Sequence, residues 1–336
     1  MMPARGRRVV GLAALAVLVS MTGCSLGSDV HVVGSDGSNH LRVGSGTLGA
    51  LSHDGSQILF SRDGEITVAT RGGGVRVLTH SGRDFSPAWS RDGALVAFSR
   101  LSTPEESVYE HDVYVMNTDG TALRSLIGGP EDDETPVWSS DGTEVAFFRR
   151  AGAERFSDER DVYVVNADGT GLRRVGQGAR AEGAPSWSPD GRRLAFAWSD
   201  FPAGAPATSG IAVADAAGSG AVRITQTGFD PSAYQSGDDS PDWSPDGTRI
   251  AFSRQGAVHV IGPDGSGLTQ LGAKGDDPKW SPDGKYIAFC CAGKERYGGG
   301  IFVMSSDGSG VRRLHKAGHS PVWSGDGSLI AFEQSK

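Results

Sequence analysis

A closed ring of seven small antiparallel sheets is the fold this 336-residue sequence predicts, and three observations predict it. A hairpin carrying a tryptophan recurs along the chain. A second hairpin of different composition alternates with it. The two kinds are out of phase at the chain ends.

The first hairpin is plainest from Ser240 to Phe252, Ser-Pro-Asp-Trp-Ser-Pro-Asp-Gly-Thr-Arg-Ile-Ala-Phe. It returns at Ser86 to Phe98, Thr135 to Phe147, Ala184 to Phe196, Asp277 to Phe289 and Ser320 to Phe332, with a worn copy at Ala50 to Phe60 where Leu51 replaces the tryptophan. In Ser-Pro-Asp-Gly the proline presets the first corner, the aspartate accepts local hydrogen bonds and the glycine takes the positive φ. A short strand therefore precedes the turn and an Ile/Val/Leu-Ala-Phe strand follows it. An isolated hairpin cannot cover an indole of roughly 150–250 Å², so neighbouring units must stack.

The second hairpin reads Asp112-Val113-Tyr114-Val115-Met116-Asn117-Thr118-Asp119-Gly120, and again Asp161 to Gly169. Fainter copies start at Glu65, Gly210, Ala257 and Gly300, and the earliest is Asp29 to Gly37. With the tryptophan hairpin as strands a and b and this one as c and d, the chain opens on c and d. It then runs through six a-b-c-d sets and ends on an unpartnered a and b. The two ends complete one blade between them. Leu51 and the repeat tryptophans are spaced by 38, 49, 49, 56, 37 and 43 residues, near the roughly 40–50 of a four-stranded propeller blade. The prediction is an all-β, seven-bladed β-propeller over 29–335, closed by N-terminal c-d strands on C-terminal a-b strands.

The Trp-Ser-Pro-Asp-Gly…Ile-Ala-Phe unit followed by Asp-Val-Tyr-Val-Met-Asn-x-Asp-Gly resembles the repeat of TolB-like, WD-repeat-like propellers over nearly the whole chain. That resemblance implies an extracytoplasmic partner-binding propeller. TolB itself resembles a six-bladed ring with an extra domain in front, unlike the seven hairpin pairs here.

Ahead of the repeats, Arg5, Arg7 and Arg8 precede a thirteen-residue apolar run, Val9 to Met21, and then Thr22-Gly23-Cys24. The run is too short to span a bilayer. It resembles a bacterial lipoprotein signal peptide, which implies removal of residues 1–23, acylation of Cys24, a short tether over 24–28 and anchoring at the outer surface of a membrane. Two or more acyl chains suffice for stable anchoring. The alternative is an ordinary secretory signal with a chance cysteine.

Removal of residues 1–23 takes the formal charge from −8 to −11, which argues against nucleic acid as a partner. The remaining cysteines, Cys290 and Cys291, read as part-buried thiols.

All tight Asp-Gly turns join a to b or c to d, so they share one face, and the b-to-c and d-to-a loops surround the channel mouth on the other. The d-to-a loops are acidic just before the a strand. Asp84, Asp132, Asp133, Glu134, Glu182, Asp238, Asp239, Asp276 and Asp277 stand there, and His319 holds the related place in the last copy. A narrow mouth ringed by carboxylates attracts a cation or a basic side chain, and Ca²⁺ or another divalent cation is the ion it would take. No other cofactor is expected. The competing reading is that these carboxylates cap turns and solvate the rim.

His31 and His259 stand where Tyr114 and Tyr163 stand and read as packing residues. His53 lies in a turn on the far face, and His80, His111 and His319 lack metal-ligand spacing. Some seven-bladed polysaccharide lyases use metal-binding histidines around such a channel. No Gly-x-Ser-x-Gly elbow appears. Asp112 and Asp161, which open their strands near the loop face, read as hydrogen-bonding between blades.

The leading expectation is a monomeric, non-enzymatic, lipid-anchored propeller that binds an envelope protein or small ligand through its acidic loop face. The alternatives are a carbohydrate lyase or hydrolase with a channel-mouth site and a structural subunit of an envelope complex. Paired buried carboxylates with raised pKa inside the channel would favour the enzyme, and a solvated acidic rim the binder.

Overall fold

In the computed structural model, residues 27–102, 110–150, 160–176, 184–200, 206–229, 237–290 and 300–336 are described. The signal segment, Cys24, Glu182 and Cys291 lie outside them. The described residues form strands and turns with no helix, and so none long and apolar enough to cross a membrane.

Seven antiparallel sheets form the blades. Blade 1 is β3 (Thr47–Leu51), β4 (Gln57–Arg62), β5 (Glu65–Thr70) and β6 (Val75–Val77). Blade 2 is β7 (Asp84–Trp89), β8 (Leu95–Leu101), β9 (His111–Asn117) and β10 (Arg124–Ile127). Blade 3 is β11 (Asp132–Trp138), β12 (Glu144–Arg150), β13 (Asp161–Asn166) and β14 (Arg173–Gly176). Blade 4 is β15 (Ser186–Trp187), β16 (Arg193–Asp200), β17 (Ala207–Asp215) and β18 (Ala221–Arg223), with β19 (Thr227–Phe229) also paired to β17. Blade 5 is β20 (Asp238–Trp243), β21 (Ile250–Arg254), β22 (Ala257–Ile261) and β23 (Thr269–Lys274). Blade 6 is β24 (Asp276–Trp280), β25 (Tyr286–Cys290), β26 (Ile301–Ser305) and β27 (Arg312–His315).

Blade 7 joins the chain ends. β28 (His319–Trp323) and β29 (Leu329–Ser335) supply a and b, and β1 (Ser28–Gly34) and β2 (Leu41–Ser45) supply c and d. β1 pairs with β29 along its whole length, from Ser28 opposite Ser335 to Gly34 opposite Leu329. The predicted closure is the one observed.

The core is seven wedges, one at each blade interface. At each, b- and c-strand residues of adjacent sheets interdigitate, and the repeat phenylalanines Phe60, Phe98, Phe147, Phe196, Phe252, Phe289 and Phe332 are all buried. The indoles of Trp138, Trp187 and Trp323 reach back a blade and donate to the carbonyls of Ala88, Val137 and Lys279. Arg76, Arg124, Arg173 and Arg312 at the outer edge donate to c-d turn carbonyls of the next blade. Neither kind of link is available to a hairpin on its own.

The a-b turns share one chemistry. In blade 2 the Ser90 hydroxyl donates to Asp92 at 2.6 Å and accepts from Leu95 N at 2.9 Å, and the same serine and aspartate recur in the other six copies. Proline is present at only three of the seven turns, so the Ser-x-Asp-Gly set carries the turn. Gly93, for instance, has φ +72, open to glycine without cost.

Candidate functional site

The a strands β3, β7, β11, β15, β20, β24 and β28 are innermost and line the channel. They begin at the mouth and end at the a-b turns, so the residues just before each proline lie at the mouth end. A bulge follows, where Ser86, Thr135, Ser240, Asp277 and Ser320 hold positive φ of 50–58°. Bulges re-aim the side chains around them.

The re-aiming sends the acidic residues to different places. Asp84, Asp133 and Asp238, each five residues before a tryptophan, turn inward between blades and are buried. Each carboxylate takes a two-pronged guanidinium from the end of its own b strand, Arg100, Arg149 or Arg254, at 2.5–2.9 Å. Arg100 also lies over Tyr114 at 4.6 Å and Arg149 over Tyr163 at 5.1 Å. Thr225 donates to Asp238 as well. These three carboxylates were placed on the rim by sequence, and the structure makes them internal parts of the blades. Burial of a carboxylate requires such a partner.

Blades 1, 6 and 7 carry Gly46, Gly275 and Gly318 at the equivalent place. A Cβ there would meet Phe60, Phe289 or Phe332 at 2.4–2.9 Å, so the close approach of the ring leaves no room for a side chain at that place. On Phe332 of blade 7 the rings of His31, His40 and His315 stack, and burial followed by the charges of His40 and His315 push His31 down to about 4. His259 packs on Phe252 in the same position. Both histidines occupy the packing role read for them.

On the blade 3 wall, carboxylates and bases balance. Asp132 accepts from His111 Nδ1 at 2.7 Å and lies 3.4 Å from Arg150, and Glu134 lies 2.5 Å from Arg160. Burial works against the Asp132 carboxylate, but His111 and Arg150 together outweigh it and hold its pKa low. Burial pushes Glu134 up against the pull of Arg160. Asp112 and Asp161 are bonded within their own blades, to Ser102 and Arg174.

Blades 5, 6 and 7 differ. Here Asp239, Asp242 and Asp277 gather against Lys279, whose Nζ is 3.1 Å from Asp277, and Asp276 and Glu333 lie within electrostatic reach of Asp277. Burial works against the Lys279 ammonium, yet Asp277 and Asp242 hold its pKa above the ordinary lysine value. Asp242 accepts from Trp280 N at 2.7 Å, and burial raises it to about 6. Burial and then Asp277 raise Asp276 to about 6. Glu333 is 6 % exposed. It accepts from Leu48 N at 3.2 Å and is pushed up to about 7 by burial, with Asp277 adding to the rise. His319, opposite Glu333 in the strand register, is lowered by burial. Within this group, then, five carboxylates meet one lysine across three adjacent blades.

Three members of this group, Asp242, Lys279 and Glu333, stand elsewhere than before a proline. Asp242 and Lys279 each directly precede a tryptophan, where other copies have Ala88, Val137, Ser186 or Val322. Glu333 directly follows the repeat phenylalanine, where other copies include Ser61, Ser99 and Ser253. In those copies the serine caps the next blade, as Ser99 accepts from Thr135 N and Ser253 from Asp277 N. The signal was departure from the repeat.

Glu333 makes stability depend on pH. A carboxyl whose folded pKa is raised contributes stability below its unfolded pKa and loses it as pH rises to the folded value. From 4.5 to about 7, the loss is about 3 kcal/mol at 1.36 kcal/mol per unit. Glu333→Gln keeps the acceptor for Leu48 N and should flatten this fall. Urea unfolding at pH 5 and pH 8 should show the variant the more stable at pH 8, and a wild-type-like slope would contradict the assignment.

No protein-family model matches the sequence, and no curated protein matches it. Solved structures do match. A putative TolB from Agrobacterium tumefaciens aligns with TM-score 0.54 and 18 % identity over 93 % of this chain and 99 % of that one. TolB from Acinetobacter baumannii aligns with TM-score 0.50 and 15 % identity over 92 % of this chain and 65 % of that one. An oligogalacturonate lyase in complex with manganese aligns with TM-score 0.59 and 15 % identity over 79 % of each. At such identities the likeness concerns the fold alone, and by its fold this chain is a seven-bladed β-propeller similar to these structures.

Proposed function

We propose that the protein is a lipid-anchored, extracytoplasmic binding scaffold that receives a cationic group at the channel wall of blades 5 to 7. The observation that carries this reading is a group of five carboxylates with one lysine, Asp239, Asp242 and Asp277 around Lys279 and Asp276 and Glu333 beside Asp277, against the balanced pairs of blade 3. Protonation of Asp276 and Glu333 near neutrality lowers the cost of their proximity to Asp277. A bound ammonium or guanidinium favours their ionised forms, so binding releases protons and tightens as pH rises. Among the described residues no group of three or more His, Cys, Asp and Glu side chains could hold a metal ion, which favours a basic side chain over a bare ion.

Calorimetric titration of a lysine-rich peptide should give binding that strengthens between pH 5.5 and pH 7.5. Asp276→Asn with Asp277→Asn should weaken it at least tenfold, while Glu131→Gln, on the blade 3 side, should leave it within twofold. Equal loss from both variants, or binding independent of pH, would refute the reading.

One observation favours a second reading. Asp276 at about 6 and Glu333 at about 7 are in the range suited to proton transfer at neutral pH, and a lyase shares the fold. Release of new reducing or unsaturated ends from uronic-acid oligosaccharides, lost in Glu333→Gln, would support an enzyme instead.

A further inference from the structure

The chain enters the ring on the face that bears the acidic sector. β1 is the c strand of blade 7 and runs antiparallel to β29, so its first residue, Ser28, lies opposite Ser335. That level is the mouth end, where β28 begins at His319. Gly27 O accepts from Lys336 N at 2.8 Å and Ser28 O accepts from Gly46 N at 3.0 Å, Gly46 being the link from blade 7 into blade 1. The Ser28 side chain is bonded to Glu333, itself a member of the acidic group.

Cys24 lies four residues before Ser28. At 3.3–3.6 Å per residue, the chain between them spans at most about 14 Å. The opposite face, with the a-b and c-d turns, lies a further β1 length away. Seven residues at about 3.3 Å each come to roughly 23 Å. A tether of that reach cannot carry the lipid around the edge of the disc to the turn face.

We infer that the acidic channel mouth faces the bilayer to which the chain is anchored, with blade 7 nearest the lipid and the a-b and c-d turns directed away from it. This rests on acylation of Cys24 as part of the proposed function. The occupant of the space before the mouth is the lipid headgroup surface, held there by the tether rather than by attraction, since carboxylates repel anionic headgroups. A cationic ligand then reaches blades 5 to 7 through the gap between disc and bilayer. A basic segment borne by the membrane has the shortest route.

The test uses the full acylated chain in phosphatidylcholine vesicles containing a lipid with a spin-labelled headgroup. A fluorophore is placed by Arg62→Cys or Lys274→Cys on the mouth face, or by Arg91→Cys or Lys285→Cys on the turn face, each in a Cys291→Ser background. Cys290 is 3 % exposed and so shielded from the reagent. Quenching should be several-fold stronger at Arg62 and Lys274 than at Arg91 and Lys285. Equal quenching, or stronger quenching at the turns, would overturn the orientation while leaving anchoring intact. Vesicle flotation separates the two readings: Cys24→Ala should stay in solution. If the parent chain also fails to float, anchoring falls and the orientation falls with it.

Discussion

Asp133→Ala should cost the fold about 3–5 kcal/mol, the range for removing one partner of a buried ion pair. Asp133 is buried and meets Arg149 through two bonds of 2.7 Å, and the guanidinium side chain is itself only 10 % exposed. It lies over the rings of Phe147 and Tyr163. Loss of the acid strands a charge among aromatic faces. The pair as a whole contributes far less than either half costs to lose, because desolvation of both charges offsets most of their attraction. Asp133→Leu with Arg149→Met should therefore recover most of the stability lost by Asp133→Ala. Denaturant unfolding of the three proteins decides it. A loss below about 1 kcal/mol for Asp133→Ala would place this pair with exposed ones.

Deletion of residues 27–45 should abolish cooperative unfolding rather than lower its midpoint. The deletion removes β1 and β2, and with β1 all seven residue pairings to β29. It also takes Val30, Val32 and Val33, all at most 1 % exposed, from the wedges on both sides of blade 7. Each fully buried valine is worth about 1.5–3 kcal/mol, and a domain's whole net stability is about 5–15 kcal/mol. The loss is thus of the order of the entire margin, and β29 is left as an exposed edge prone to pairing with other chains. A synthetic peptide of residues 27–45, added in trans, should restore a cooperative transition. A deletion protein that unfolds cooperatively at the parental midpoint would mean the ring does not close through β1.

The ring, the order of its strands and the seam at blade 7 could all be read from the repeats. What encodes them is local: Ser-x-Asp-Gly closes each a-b hairpin with its own side chains, and the split of blade 7 follows from which hairpin comes first and which last. The packing roles of His31 and His259 were legible for the same reason, since each stands where a tyrosine stands in another copy.

The candidate site was legible only in part. Acids before proline were visible in the sequence, and Asp239, Asp276 and Asp277 belong to the acidic group of blades 5 to 7. The inward turn of Asp84, Asp133 and Asp238 was not visible. It depends on an arginine sixteen residues on, at the far end of the paired strand, and on a bulge that separates neighbouring side chains to different sides.

Sequence by itself determined a seven-bladed ring and the chain ends that seal it, because turn chemistry and hydrophobic alternation act within one hairpin. Tertiary structure alone decided which carboxylates became internal partners of arginine and which stayed on the channel wall. A single-residue step along a strand reverses the direction of a side chain, and only the packed neighbour shows what each direction meets.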